Sequence, residues 1–216
     1  MSMKQVLLSD VAEQMRPGDI IAFSGKTRFS RLIRLATRSI VSHVGIIHAA
    51  GRSVDLIESV TFEQDCITGE DIDGVWLNHI KKRVDNYAGM IWWLPLNEAA
   101  RFRLNQKKMI DFLKTTYGKS YDMPQAIKAV VDLIEENPFF DLSTYNHEDF
   151  DAFFCSELAT AALRAGEVID QINPSEVTPV NLCSFNIFSD DYYQLRGRRK
   201  ELDEFNTLDP EGFGIR

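Results

Sequence analysis

The sequence contains few of the residues that build disulfide frameworks and metal sites. Its 216 residues include three cysteines and four histidines. The cysteines, at positions 66, 155 and 183, are widely spaced and odd in number, and none belongs to a Cys-x-x-Cys pair. A disulfide framework and a structural zinc site are therefore not expected. We predict a protein with no bound metal and no cofactor.

Long apolar runs and an excess of basic charge are also lacking. No stretch approaches the roughly 20 apolar residues that span a bilayer, and the apolar part of residues 1–10 is too short for a signal peptide. The formal net charge of −8 makes nucleic acid an unexpected main partner. We therefore expect a cytoplasmic protein, with a lost leader or leaderless secretion as open alternatives.

What the sequence does have is apolar residues in the patterns of regular structure. An apolar content of 44%, with 14 Phe, is typical of a globular protein, and the length suits one domain over residues 1–216. We expect its core at about 15–196 and a polar tail at 197–216. The patterns predict strands at 20–23, 42–49, 52–60, 74–80, 90–96 and 192–195. They predict helices at 26–38, 98–117 and 121–136, and a further helix that carries Cys155 after a loop at 137–151 and ends at Gly166. This mixed order indicates an α+β fold, with a small antiparallel sheet packed on helices.

The predicted helix at 26–38 carries arginines on one face and apolar side chains on the other. Such a helix can rest on an anionic membrane surface, although it more often packs its apolar face on its own core. We therefore expect peripheral membrane contact through residues 26–38 at most. The sequence pattern does not indicate which oligomeric state the protein has.

Cys155 lies at the start of the predicted helix that ends near Gly166. The positive end of a helix dipole and unsatisfied backbone N–H groups favour the thiolate at such a position. The alternative is a small buried side chain, as free cysteine commonly is. A histidine distant in sequence can complete a nucleophile–base pair, because only proximity in the fold matters.

The strands around Ala50-Gly51 supply such a histidine. A hairpin symmetric about these two residues pairs positions whose numbers sum to 101 and places the pairs on one side of the sheet. The pairs are His43–Glu58, Gly45–Leu56 and Ile47–Val54. A carboxylate beside an imidazole on an apolar sheet face is costly unless the two interact.

These residues predict Cys155 as nucleophile, His43 as its base and Glu58 as the group that orients His43. The backbone N–H of Cys155 is the expected donor to the oxyanion. His147, close to Cys155 in sequence, is the rival base. The acidic residues around His147 could bind calcium, but a solvated acidic loop is the favoured interpretation. His48 is expected on the opposite sheet face from His43, as a surface or packing residue, and His79 has no obvious partner. Cys66 and Cys183 are interpreted as structural.

Four segments in order resemble the permuted branch of the NlpC/p60 papain-like cysteine hydrolases. The resemblance is strongest to the YiiX/YebB-like members, which are related to lecithin:retinol acyltransferase-like proteins. It covers about residues 15–196, and in that branch the histidine precedes the cysteine, as here. The segments are Pro17-Gly18-Asp19-Ile20-Ile21, Ser42-His43-Val44-Gly45-Ile46, Tyr117-Gly118-Lys119-Ser120-Tyr121-Asp122 and Phe154-Cys155-Ser156-Glu157-Leu158.

The resemblance implies a circularly permuted papain-like fold and a thiol hydrolase that cleaves an amide or ester of a small peptide or lipid. It places the third polar residue at Glu58 and a tyrosine lining the site at Tyr192 or Tyr193. Gly45 is expected to leave room for substrate. Two alternatives stay open, a lipid acyltransferase of the lecithin:retinol type and a non-catalytic peptide- or lipid-binding module on the same fold.

Overall fold

The computed structural model describes residues 2–26, 28–49, 53–64, 71–118 and 152–215. The strands in these ranges are β1 Ser2–Gln5, β2 Ile20–Ser24, β3 His43–Ala49, β4 Asp55–Gln64, β5 Asp71–His79, β6 Met90–Leu94 and β7 Asp191–Arg196. The helices are α1 Leu8–Val11, α2 Arg28–Ala36, α3 Ile80–Asn86, α4 Glu98–Arg103, α5 Gln106–Thr116, α6 Ala152–Ala165 and α7 Pro179–Ser184. Short 3₁₀ turns cover Ala12–Gln14 and Pro174–Glu176.

The strands form one sheet in the order β1-β7-β6-β2-β3-β4-β5. β1 runs parallel to β7, and every other neighbouring pair is antiparallel. The predicted α+β class is confirmed, but the small antiparallel sheet is corrected to a larger, mixed one. β1 escaped the sequence patterns because it is four residues long and buries only Met3.

Each face of the sheet carries its own apolar layer. Strand alternation on β6 places Trp92 in the layer shared with α6, and Trp93 in the layer shared with α3. Within the sheet, α6 packs against β3 and β4, and it also packs against α5 and the Pro174–Glu176 turn. Its buried Ala159 and Ala162 have short side chains, so the helix backbone can lie close to the sheet. This packing fixes the height of Cys155 above β3.

The Pro-Gly-Asp segment before β2 forms a buried anchor. Gly18 has φ +91°, which favours glycine. The fully buried carboxylate of Asp19 accepts hydrogen bonds from the indole Nε1 of Trp93 (3.0 Å) and the backbone N–H of Leu96 (2.9 Å). It also forms an ion pair with Arg101 of α4. The segment therefore ties the start of β2 to β6 and α4.

The helix predicted at 98–117 is two helices. Asn105 accepts a hydrogen bond from the N–H of Lys108 and so caps a new helix, α5, after α4 has ended. The break changes the helical phase, and Phe102 of α4 is 93% exposed while Met109 and Leu113 of α5 are buried. The predicted helix at 121–136 and loop at 137–151 lie outside the described residues.

The helix predicted at 26–38 is shorter, spanning the nine residues of α2. Ile33 is buried as expected, whereas Arg34 donates a hydrogen bond to Ser24 Oγ (3.1 Å) and is not a free cation on the outer face. Contact of this helix with a membrane surface stays a prediction.

The core extends beyond the predicted limits of about 15–196. Met3, Leu202 and Phe205 are buried in the layer that also contains α6. The ring of Phe205 lies 4.3 Å from that of Tyr192, centroid to centroid. Residues 197–216 therefore do not form the purely polar tail expected from their charge. Apolar residues interspersed among the charged ones pack back on the sheet.

No helix within the described ranges combines the length and the apolarity that a membrane crossing requires.

Candidate active site

Cys155 lies in the first turn of α6, as the sequence predicted. The helix begins at Ala152, so Cys155 is its fourth residue. The next residue anchors this turn, because the hydroxyl of Ser156 donates a hydrogen bond to the carbonyl oxygen of Val177 (2.6 Å). A helix leaves its first four N–H groups without helical partners, and Cys155 is the fourth residue of α6. Its role as oxyanion donor stays a prediction.

His43 is the first residue of β3 and links Cys155 to Glu58. Its Nε2 lies 2.8 Å from Glu58 Oε2, and the imidazole also hydrogen-bonds the thiol of Cys155. Because Nε2 is engaged by the carboxylate, Nδ1 is the nitrogen left for the sulfur. The ring of Phe23, which pairs with His43 across β2 and β3, lies 5.3 Å from the imidazole, centroid to centroid. The three predicted catalytic residues are thus brought together.

Glu58 is fully buried on β4 and held by more than His43. Asn78 Nδ2 of β5 donates a hydrogen bond to Oε1 (2.8 Å), and Arg83 Nη2 of α3 donates one to Oε2 (2.8 Å). Arg83 Nε lies 2.7 Å from Oε1. The contacts therefore run from α3 on one face of the sheet, through Glu58 and His43, to α6 on the other.

The charges of these groups stabilise one another. Burial by itself would raise the pKa of Glu58, but Arg83 and His43 outweigh it and lower the pKa to about 2. Burial would likewise lower the pKa of His43, but Cys155 and Glu58 outweigh it and raise the pKa to about 10. The arrangement favours an ionised carboxylate and a protonated imidazole, which is the partner that a thiolate needs.

The predicted register of the β3–β4 hairpin was wrong by two residues, although the predicted contact exists. Ile47 pairs with Leu56 rather than with Val54, and a bulge follows before Ala49. The paired numbers thus sum to 103, which places Glu58 across from Gly45 and diagonal to His43. A shift by two residues keeps every side chain on its face. Glu58 therefore reaches His43 diagonally.

Gly45 has a different part from the one expected. It is buried in β3 and not placed to line a substrate surface. A Cβ atom there would lie 2.9 Å from Leu56 Cδ1 and 3.2 Å from Glu58 Cβ. Gly45 therefore makes room for the Glu58 side chain to lie across the strand towards His43.

Neither tyrosine predicted to line the site lies beside it. β6 and β2 separate β7 from β3, a distance of roughly 14 Å at the usual strand spacing. Tyr192 is buried, and its hydroxyl accepts a hydrogen bond from the N–H of Leu202 (2.9 Å). Tyr193, on the other face, stacks on Trp93 at 4.8 Å between centroids. Both rings therefore pack in the apolar layers of the protein.

The remaining histidines differ from His43 in their surroundings. His48 lies on the opposite sheet face, as predicted, and burial lowers its pKa. His79 does have a partner, contrary to expectation, since its Nδ1 lies 2.7 Å from Asp55 Oδ1. That pair is only partly buried, with 41% of the His79 side chain and 20% of the Asp55 side chain exposed. The rival base His147 lies outside the described residues.

Two residues that hold Glu58 were missed by the sequence patterns. Arg83 follows two lysines, a pattern that is typical of a solvated basic turn. Its spacing from Ile80 and Val84, however, places it on the buried face of α3. An arginine on an otherwise apolar helix face was therefore the available signal. Asn78 carried no comparable signal.

The described side chains include no group of three or more His, Cys, Asp or Glu that could hold a metal ion.

Two open cavities of about 800 and 710 Å³ lie around Arg16 and Arg101, away from Cys155.

Cys155 should react with iodoacetamide much faster than Cys183 at neutral pH. Both thiols are 1% exposed, so exposure does not separate them. Burial raises the pKa of Cys183, and neighbouring Cys155 adds to the rise, whereas Cys155 has His43 to accept its proton. Peptide mapping after brief labelling measures the two rates, and Cys66, outside the described residues, is followed alongside. Faster labelling of Cys183 or Cys66 would reject Cys155 as nucleophile.

The site should also make stability depend on pH in a defined window. The lowered pKa of Glu58 gives a contribution present above its ordinary value of 4.5 and lost as the pH falls towards about 2. The raised pKa of His43 gives one present below its ordinary 6.5 and lost as the pH rises towards about 10. The contribution is therefore greatest between these ordinary values. In thermal unfolding, the Tm advantage of the wild type over His43→Gln should shrink above pH 6.5. A constant advantage across the alkaline range would contradict this.

Comparisons with known proteins assign no family to the chain. No protein-family model matches it, and no curated protein is significantly similar. Among solved structures it is similar to the crystal structure of the metalloprotein yiiX from Escherichia coli O157:H7, at 19% identity. The match covers 71% of this chain and 67% of that one, with a TM-score of 0.46. A likeness at this level supports no statement about activity or metal in this chain.

Proposed function

We propose that this chain is a cysteine hydrolase that cleaves an amide or ester through a Cys155 acyl-enzyme. The observation that carries the proposal is the continuous contact of Cys155 with His43 and of His43 with Glu58. A nucleophile, a base and an orienting carboxylate in this order are the parts of covalent acyl transfer. A binding module has no need of all three.

The first half of the reaction makes a thioester. His43 Nδ1 accepts the proton of the Cys155 thiol, and the thiolate attacks the carbonyl carbon of the substrate. The tetrahedral intermediate then expels the amine or alcohol, and His43 returns the proton to this leaving group. Glu58 stabilises the imidazolium while it exists and holds Nε2, so Nδ1 keeps facing the sulfur.

The second half returns the free enzyme. Water attacks the thioester carbonyl while His43 accepts a proton from it, and the carbon–sulfur bond breaks to release a carboxylic acid. An amine or alcohol in place of water gives acyl transfer by the same steps. The protein groups are identical in both cases, so the acceptor decides between hydrolase and acyltransferase.

We further propose that the fold is of the permuted NlpC/p60 papain-like type, in its YiiX/YebB-like branch. The order of His43 before Cys155, a nucleophile in the first turn of a helix, and that helix packed on the strand of the base all support it. On this proposal the substrate is a small peptide, another amide or a lipid ester.

Mass spectrometry of the intact protein tests the proposal. The wild type, Cys155→Ala and Cys183→Ala are each exposed to a panel of activated amides and esters. We expect an added mass equal to the acyl group in the wild type and in Cys183→Ala, and none in Cys155→Ala. Release of free acid on longer incubation indicates hydrolysis, and transfer to an added amine or alcohol indicates an acyltransferase. A Cys155 that reacts with iodoacetamide but accepts no acyl group from any donor indicates a binding module instead.

A further inference from the structure

The carboxylate of Glu58 is saturated with contacts. Oε2 faces His43 Nε2 and Arg83 Nη2, both at 2.8 Å. Oε1 faces Asn78 Nδ2 at 2.8 Å and Arg83 Nε at 2.7 Å. An ionised carboxylate has about four lone-pair sites. Three hydrogen bonds use them here, and Arg83 Nε adds an ion-pair contact at Oε1 that lacks hydrogen-bond geometry.

The chemistry of these partners fixes where the protons are. The guanidinium of Arg83 and the amide nitrogen of Asn78 can only donate, so a protonated Glu58 would face them with a third donor. Glu58 therefore stays an anion, and the hydrogen of the His43–Glu58 bond lies on Nε2. With Nε2 protonated, the free lone pair of a neutral His43 is on Nδ1, the nitrogen that faces Cys155.

We propose that Arg83 is a positioning residue of the active site, acting through Glu58. It holds Glu58 as an anion, and so keeps His43 in the tautomer that accepts the Cys155 proton. The inference rests on the proposed function for its catalytic meaning, but the state of the thiol can be measured without any substrate.

Arg83 is itself held in one place. Its Cζ lies 5.3 Å from the ring centroid of Phe23 and 5.6 Å from that of Tyr87, distances at which a cation is attracted to an aromatic face. Its side chain is 13% exposed. The guanidinium thus makes two contacts with one carboxylate between two rings, a geometry that lysine cannot reproduce.

Arg83 also balances the charge of the site. With Cys155 as thiolate and His43 as imidazolium, Arg83 and Glu58 make the four groups neutral together. Without the cation, a buried site would carry a net negative charge, which disfavours the thiolate. By element, the titratable and charged groups that interact with Glu58 or Cys155 are His43 of β3, Arg83 of α3 and Cys183 of α7, and Tyr87, which follows α3, lies against Arg83.

The rate of Cys155 alkylation as a function of pH measures this effect. In Arg83→Gln the acid midpoint of the profile should move up by about one pH unit, the lower end of what a nearby charge causes. Below the wild-type midpoint the alkylation rate should then fall roughly tenfold. A merely structural Arg83 would lower the Tm and leave the midpoint in place.

Two variants serve as controls. Arg83→Lys keeps the charge without the fork, so its midpoint should stay near that of the wild type while acylation slows. Arg101→Gln breaks a second buried carboxylate–guanidinium pair, with Asp19, at the far end of β2. It should lower the Tm without moving the midpoint.

An unmoved midpoint in folded Arg83→Gln overturns the inference, as does an equal movement in Arg101→Gln. Should Arg83→Gln fail to fold, carbon NMR of the Glu58 carboxyl group in the wild type decides instead. No titration is expected near the ordinary glutamate pKa of 4.5, and a titration there overturns the inference. If no donor acylates Cys155 and yet the midpoint moves, the proposed function fails and the role of Arg83 stands. If Cys155 is acylated and the midpoint is unmoved, the proposed function stands and the role of Arg83 fails.

Discussion

Replacing His43 with alanine should slow acylation of Cys155 by roughly 10³- to 10⁴-fold. General acid–base catalysis alone accounts for about 10²- to 10⁴-fold, and His43 also stabilises the thiolate as its hydrogen-bonded partner. The rate is measured as the increase of acyl-enzyme by mass spectrometry, with the most reactive donor of the panel. Circular dichroism of the same sample confirms that the variant is folded.

His79 provides the matched control for this variant. Its Nδ1 lies 2.7 Å from Asp55, so His79→Ala removes a second imidazole–carboxylate contact on the same sheet. We expect its acylation rate to stay within about twofold of the wild type, because surface pairs of this kind contribute little. His147→Ala should also retain most of the activity. Loss of activity in His147→Ala with retention in His43→Ala would place the base in the segment 137–151.

The contact between His43 and Glu58 could be predicted because it depends on local patterns. Strand alternation has a period of two, so the sheet face of a residue survives an error of two in the register. The predicted sum of 101 is 103 in the structure, and the pair moved from opposite to diagonal without leaving its face. Likewise, the position of Cys155 at the start of a helix could be predicted, because the residues that mark the helix start are its neighbours in the sequence.

The partners that complete the site depend on the order of strands, which local patterns do not contain. Asn78 and Arg83 meet Glu58 because β5 pairs with β4 and leads directly into α3. Tyr192 and Tyr193 were placed at the site by family resemblance, and β6 and β2 lie between their strand and β3. The pairing of strands that are distant in sequence therefore determined both the partners of Glu58 and the positions of the two tyrosines. The two helices at 98–117 show the same limit, since a side-chain cap at Asn105 outweighed a continuous apolar pattern.

Replacing Glu58 with glutamine should lower both activity and stability. The loss of the carboxylate charge removes the partner of the imidazolium, and on the triad template this costs up to roughly 10⁴-fold in turnover. Glutamine has nearly the same volume as glutamate, so packing alone would leave the fold unchanged. Stability should nevertheless fall, because the substitution leaves the largely buried guanidinium of Arg83 without its anion.

The stability loss has an upper limit of about 3–5 kcal/mol, the cost of breaking a buried ion pair by removing one partner. Because 13% of the Arg83 side chain is exposed, water can compensate part of the charge, and we expect a loss below that limit. Denaturant unfolding of the wild type and Glu58→Gln measures it. Acylation rates are compared well below the Tm of the variant, so that the folded protein is what reacts.

The double variant Glu58→Gln/Arg83→Gln separates the two effects. Removing both charges takes away the uncompensated cation, so the double variant should be more stable than Glu58→Gln alone. Its acylation rate should stay low, because His43 still has no anion at Nε2. A double variant that regains stability and activity together would show that Glu58 acts only through folding. An unchanged rate in folded Glu58→Gln would remove Glu58 from the chemistry and leave a dyad of Cys155 and His43.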